Sequence, residues 1–318
     1  MISIGLINYK SANKMKSYID ELIDKINIED YAIYIIDNSC DYEEFDFLIK
    51  IFGQKKNLYS QSIISLENQF YIIYRGIKII FLQSPINFGF SKAHNLLLKI
   101  ANHDLNSRFH IISNCTLKIK DNILDIQKLL NDFKDDIACV GPKIISEDNI
   151  DQTPYKYISI YRKLWFRQIL FPLDFLVKPI KKINSDIISH AKNGYYYRLI
   201  GAFMIVDFKK LEKCDFFDEN TFLYAEEEIL AERLKKLGYK MWYDASITLI
   251  HEIGGTSNVE SKNKLDKFIT REKRIYQSEL YYYQNYIKIS NTINLLTKLI
   301  KKIYFIKLKI LSFIYWRQ

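Results

Sequence analysis

Residues 77–113 read IKIIFLQSPINFGFSKAHNLLLKIANHDLNSRFHIIS. Ile77 to Leu82 and Phe109 to Ser113 are short apolar runs of strand length, and Ser91 to Ile100 between them carries apolar residues at helical spacing. Gly89 punctuates the chain just before the helix. Strand, loop, helix and strand in that order form a βαβ unit, which implies a parallel pair.

The same alternation extends on both sides. Ile2 to Asn8, Tyr31 to Ile36 and Ile137 to Val140 are further strand candidates, and Lys14 to Lys25 and Ile123 to Phe133 are helix-like. The fold class is therefore α/β, with a mainly parallel sheet flanked by helices. Gly53 to Arg75 is too long for an ordinary connection and is expected to be an insertion with structure of its own. Residues 142–198 are irregular, broken by Pro142, Pro154, Pro172 and Pro179. Their basic aromatic patch, Arg162-Lys163-Leu164-Trp165-Phe166-Arg167, is either an acceptor-facing or membrane-facing loop or a solvated loop whose aromatics plug the core. A second ordered block follows, with a strand from Ile200 to Val206, a helix from about Glu226 to Leu237 closed by Gly238, and a strand toward Ile250.

The 318 residues, 48% hydrophobic and 15% aromatic, can bury a large core and leave no long segment too polar to fold. Cys40, Cys115, Cys139 and Cys214 have no CxxC spacing, and the apolar N-terminus lacks a basic leader, so a cytoplasmic protein with reduced thiols is expected. The net charge is +9, yet no acidic residue follows Glu279, while Lys288, Lys298, Lys301, Lys302, Lys307, Lys309 and Arg317 do. Interleaved with Ile, Leu, Tyr, Phe and Trp, this basic amphipathic helical C-terminal tail suits an anionic membrane surface better than nucleic acid. The competing reading is a helix packed on the body of the protein or on a second subunit, making a homo-oligomer. Residues 1–258 are expected to form one domain, with parts of about 1–118 and about 119–258, and 259–318 the tail.

Ligands of open α/β sheets gather beyond the carboxyl ends of the strands. Asn8 and Tyr9 follow the first strand, Asp37-Asn38-Ser39 the second, and Asn87-Phe88-Gly89 the third, with Asn95 in the next helix. A carboxylate such as Asp37 can accept from a base or ribose, and glycine lets backbone approach a ligand. Each is also an ordinary turn former. Glu226-Glu227-Glu228 opens a helix, where neighbouring side chains point about 100° apart, so the three cannot face one pocket. Acidic first turns also balance the helix dipole without any chemistry.

In sequence, Asp-Asn-Ser, Asn87-x-Gly89-Phe90-Ser91-x-Ala93-x-Asn95, Gly201-Ala202-Phe203, Phe217-Asp218-Glu219, Phe222-Leu223-Tyr224-x-Glu226-Glu227 and His251 resemble the inverting glycosyltransferase family 2, most of all its bacterial rhamnosyltransferase-like branch, over about residues 2 to 255. The resemblance implies a GT-A fold, a nucleoside diphosphate sugar donor, and a glycan or lipid-linked acceptor in surface polysaccharide synthesis (capsule or O-antigen) at the inner face of the plasma membrane. It makes Glu227 the base, with Glu226 orienting the acceptor or donor sugar, and makes about 1–118 the nucleotide-binding part and about 119–258 the acceptor-binding part. Asn8, Tyr9 and Asp37 would meet the nucleoside, and Asn87, Gly89, Asn95 and Asn114 would shape the nucleotide pocket.

One position departs from the family. Its metal-binding aspartate falls at Thr116 in Ser113-Asn114-Cys115-Thr116. A divalent cation, Mg²⁺ or Mn²⁺, could still be held by the diphosphate, His251 and a neutral oxygen of Asn114 or Thr116. Basic side chains could replace it. Or the chain is a catalytically inactive sugar-nucleotide- or glycan-binding partner. A dehydrogenase is not expected, because no G-x-G-x-x-G follows the first strand.

Overall fold

A computed structural model describes residues 1–53, 57–59, 66–171, 186–252 and 264–315. In chain order the strands are β1 (Ile2–Asn8), β2 (Tyr31–Asp37), β3 (Asn57–Leu58), β4 (Asn68–Tyr74), β5 (Ile77–Gln83), β6 (Phe109–Ser113), β7 (Leu117–Ile119), β8 (Ile137–Ile145), β9 (Gly194–Tyr196), β10 (Phe203–Asp207) and β11 (Lys240–His251). The helices are α1 (Ala12–Lys25), α2 (Tyr42–Lys50), α3 (Ser91–Leu105), α4 (Ile126–Asn131), α5 (Arg167–Leu170, continuing a π-helical turn Tyr161–Phe166), α6 (Phe208–Lys213), α7 (Glu226–Lys236), α8 (Lys264–Asn285) and α9 (Asn291–Tyr315).

The strands form one sheet in the order β3-β4-β5-β2-β1-β6-β10-β8-β11-β7, with β9 beside β11. The expected parallel sheet occupies its centre, where β5, β2, β1 and β6 run together. β10 inserts antiparallel between β6 and β8, and β4 pairs antiparallel with β5, so the whole sheet is mixed. All seven residues of β2 are buried, as a strand covered on both faces requires. Ile33 and Ile35 face the layer of α1 and α2, against Met15, Leu22, Phe45 and Leu48. Tyr34 and Ile36 face α3, against Leu96, Leu97 and Ile100. Further along, Ile112, Met204 and Val206 pack under α6 and α7 through Leu211, Leu230 and Leu234.

The insertion expected at Gly53 to Arg75 turns out to supply the short edge strand β3 and its neighbour β4, which is joined to β5 by a two-residue turn at Arg75-Gly76. α2, unforeseen, starts where Asp41 accepts from the backbone N–H groups of Glu43 and Glu44. Pro172 and Pro179 lie outside the described residues.

The C-terminal region is helical, and its first helix is part of the body. Tyr276, Tyr282 and Tyr283 of α8 are buried with Ile160, Leu164 and Ile229. The basic aromatic patch belongs to this contact. Lys163 Nζ reaches Glu228 and Glu279, and Trp165 Nε1 donates to Thr297 Oγ1 at 2.8 Å. No described helix is long and apolar enough to cross a membrane.

Candidate functional site

Beyond the carboxyl ends of β1 and β6 a cavity of about 430 Å³ opens, lined among others by Tyr9, Asn38, Asn87, Gly89, Asn114, Gly201, Glu226, Glu227, His251 and Arg274. That volume lies in the range typical of small-molecule sites, roughly 300–1,000 Å³. It gathers polar groups from both halves of the sheet, as a topological switch point does.

The wall nearest β2 is built by groups that hold one another. Asn8 Nδ2 donates to Asp37 at 2.7 Å, and Ser39 Oγ donates to the same carboxylate at 2.5 Å. Asp37 is fully buried and does not line the cavity. Burial pushes its carboxyl up, while the bonds from Ser39 and Asn8 pull it back toward the ionised form. Its neighbour Asn38, not singled out in the sequence as a contact residue, lines the cavity and donates to Gly89 O at 3.0 Å. Asn8 likewise stays behind the wall, accepting from Ser11 at the start of α1.

Gly89 has φ +70°, and a Cβ there would lie 2.3 Å from Phe222 O. Only glycine permits this approach, which seats the 217–224 segment on the α3 loop. Asn95 completes the join from below: its Oδ1 accepts from Phe217 N, and its Nδ2 donates to Phe217 O and Glu219 Oε1. Asn95 thus braces the site without lining it. Asp218 is also a brace, accepting from Tyr281, Tyr286 and Asn220 and pairing with Arg233. Arg233 also pairs with Asp215.

Tyr224 and Ala225 both have positive φ, 73° and 65°, immediately before α7. Each left-handed residue costs about 1–2 kcal/mol. Burial of Ile229, Leu230 and Leu234 on the same helix returns roughly 1.5–3 kcal/mol apiece, so the strained entry persists. It turns the first residues of α7 toward the cavity.

The three glutamates then part as helix geometry demands. Glu226 and Glu227 line the cavity, and Glu228 points away into a buried ion-pair cluster with Lys163 and Arg198. Glu227 is half-buried and its Oε1 accepts from Gly201 N at 2.9 Å. A Cβ at Gly201 would sit 2.8 Å from Phe90 Cζ and 3.0 Å from that same Oε1, so glycine is needed for the contact. Burial raises the Glu227 carboxyl, and Arg198 partly opposes it. Glu226 is 6% exposed with Oε2 unpartnered, and burial and then Glu227 push it well above 4.5. In Glu228, burial is outweighed by Arg198 and Lys163, which hold it at about 2.

On the opposite wall, His251 and Gln152 face each other at 2.8 Å between Nδ1 and Oε1, and burial lowers the imidazole pKa below 6.5. His251 enters the cavity as a neutral ring. Asn114 lines the cavity and Thr116 does not: Thr116 is 3% exposed, and its Oγ1 is buried without a partner. The expected metal position is thus turned into the protein. Among the described residues, no group of three His, Cys, Asp or Glu side chains could hold a metal ion. Hard cations prefer several oxygen ligands, so this residue set does not fit a protein-held Mg²⁺ or Mn²⁺. Residues 253–257, which follow His251, lie outside the described residues.

No protein-family model matches the chain, and no curated protein matches it. Solved structures do. The mannosyltransferase PcManGT from Pyrobaculum calidifontis, in complex with GDP-Man and Mn²⁺, superposes with a TM-score of 0.50 at 9% identity over 91% of this chain and 65% of its own. GalNAc-T7 with UDP, GalNAc and Mn²⁺ gives 0.52 at 12% identity over 89% of this chain and 49% of its own. The chain therefore spans less than two thirds of either, and at these identities the likeness is one of fold. That fold is the GT-A type, a large central sheet flanked by helices.

Proposed function

We propose that this chain transfers a sugar, rhamnose or another hexose, from a nucleoside diphosphate sugar to a glycan or lipid-linked acceptor, with inversion at the anomeric carbon. The observation that carries this reading is the pair Glu226 and Glu227, facing the same cavity as Tyr9, Asn38, Asn87 and Asn114 at the strand ends of a GT-A sheet. An acceptor hydroxyl attacks the anomeric carbon, its proton passes to the Glu227 carboxylate, and the bond to the diphosphate breaks. Gly201 N fixes the carboxylate for this step, and its raised pKa makes it a stronger base than an exposed glutamate. Glu226 orients the sugar beside it. Residues of about 1–118 serve the nucleotide and those of about 119–258 the acceptor.

UDP-, GDP- and dTDP-sugars, scored for nucleotide release with a glycan acceptor, test the reading. Glu227→Gln keeps the acceptor atom for Gly201 N and removes the base, so kcat should fall about 10²–10⁴-fold with nucleotide binding intact. Full turnover in that variant would sink the assignment. The inward-turned Thr116 favours one alternative, a non-catalytic sugar-nucleotide-binding partner, which binding without turnover in the unaltered protein would support.

The acceptor side of the proposal places the protein on the inner face of the plasma membrane through α9. Leu295, Leu296, Leu299, Ile303, Ile306 and Ile310 are 42% to 71% exposed and fall within about 100° of the helix circumference at 3.6 residues per turn. Lys298, Lys302 and Lys309 are exposed along one edge of that stripe, and Tyr304 and Leu308 on the far side are buried against Phe171. An apolar stripe edged by lysines and carrying no acid matches an anionic lipid surface.

A further inference from the structure

In sugar transfer of the kind proposed above, the diphosphate departs with the electron pair of the bond it loses, and something must neutralise it. The neighbours of this fold carry Mn²⁺ in their complexes. Here the position expected to bind a cation is Thr116, buried and turned from the cavity. His251 offers one neutral imidazole. Glu226 and Glu227 are both pushed toward their protonated forms by burial, and Glu227 is already engaged with Gly201 N.

The cations around the site are mostly committed. Lys163 and Arg198 hold Glu228, Arg233 holds Asp218, and Lys14 and Lys118 hold Glu252. Arg274, on α8, lines the cavity, is half-buried, and forms no ion pair among the described residues. Its guanidinium lies 5.4 Å from the ring centre of Phe222, the residue whose backbone is seated on Gly89. α8 is fixed in turn by Ser278 Oγ donating to Leu223 O at 2.7 Å and by Tyr281 and, just past the helix end, Tyr286 donating to Asp218. A guanidinium held on a rigid helix over a polar cavity is suited to two phosphate oxygens at once.

We propose that Arg274, delivered by the C-terminal helix, takes the place of the divalent cation and binds the diphosphate of the donor and of the leaving nucleotide. The inference rests on the sugar-transfer reading. As the acceptor oxygen bonds to the anomeric carbon and Glu227 takes its proton, the carbon–oxygen bond to the diphosphate breaks. The electron pair stays on the phosphate oxygen, opposite Arg274.

Calorimetric titration of the full chain with UDP, GDP and dTDP, and with the matching nucleosides, tests this in EDTA and in Mn²⁺. The expected result is nucleoside diphosphate binding that EDTA leaves unchanged. Arg274→Gln should weaken it about 10–100-fold, the loss of a charge-assisted contact. Nucleoside binding should stay at its unaltered level, and Arg274→Lys should recover part of the loss. A lesion of folding would lower both affinities together, and the lysine variant, keeping stem and charge, guards against it. Diphosphate binding that requires Mn²⁺, or that Arg274→Gln does not weaken, overturns the proposal and leaves the sugar-transfer reading standing. Failure of all three nucleotides to bind under either condition overturns both.

Discussion

Glu228→Gln separates the structural member of the acidic run from the two that face the cavity. Glu228 is buried, with Arg198 at 3.1 Å and Lys163 closer still. These cations lower its carboxyl from 4.5 to about 2 against the opposing effect of burial. That difference corresponds to about 3 kcal/mol in favour of the ionised folded state, at about 1.4 kcal/mol per pH unit. Removing one partner of a buried pair costs about 3–5 kcal/mol. Here Lys163 keeps Glu279 and Arg198 keeps Asp186, so the low end, about 3 kcal/mol, applies. With a urea m-value of about 3 kcal/mol/M for a chain of this size, the denaturation midpoint should fall by about 1 M at pH 7. A lowered carboxyl stabilises above its unfolded pKa, and that stability is lost as pH falls through its folded value. The gap between the unaltered protein and Glu228→Gln should therefore be full above pH 4.5 and close toward pH 2. Glu226→Gln removes a buried carboxyl whose pKa its surroundings raise, a group that costs the fold stability above its unfolded pKa, so at pH 7 the midpoint should rise and not fall. A Glu228→Gln protein that unfolds at the unaltered midpoint but has lost turnover would refute the division of roles within the run.

The other consequences are quickly stated. Gly89→Ala places a methyl 2.3 Å from Phe222 O at positive φ, and should cost about 2 kcal/mol or more in urea titrations while weakening nucleotide binding. The acid limb of kcat should lie above pH 4.5, because burial raises Glu227 and a base works only when ionised; in Glu228→Gln the limb should move to lower pH, since Glu228 is one of the charges raising it. Leu299→Glu with Ile303→Glu should abolish sedimentation with vesicles containing anionic lipid and leave the denaturation midpoint unchanged, both side chains being exposed; unchanged sedimentation would remove α9 as the contact.

The central strands were legible in the sequence because buried parallel strands and their helices carry strong periodicities, as in Ile77 to Leu82 and Ser91 to Ile100. The direction of β10 was not, since an apolar run looks the same either way along its neighbour. α2 was signalled by Asp41 ahead of Glu43 and Glu44, a capping pattern that reads as a loop until its N–H partners are seen. That the three glutamates must part was legible from the helix start and the 100° step, whereas the choice of Glu226 and Glu227 came from the family resemblance. Asp37 was not, because no spacing discloses that Asn8 and Ser39 turn it inward to shape Asn38. Arg274 lay beyond reach for a related reason: it enters the cavity through the docking of α8, a tertiary event with no local signal.

That docking makes the first C-terminal helix part of the cavity wall. Positive φ at Asp215 and Phe216 before Asp218, and at Tyr224 and Ala225 before Glu226, leaves the 215–225 segment locally strained at both ends. Such a segment keeps its shape only where its surroundings over-determine it. The surroundings are Gly89 and Asn95 on one side and α8 on the other, through Tyr281 and Tyr286 on Asp218 and Ser278 on Leu223 O. The carboxylates of α7 are thus held by a helix that follows them in sequence, and the same helix carries Arg274, which lines the same cavity. Cavity and tail are joined there, so a lesion in α8 acts on the wall that carries Glu226 and Glu227 before it reaches α9.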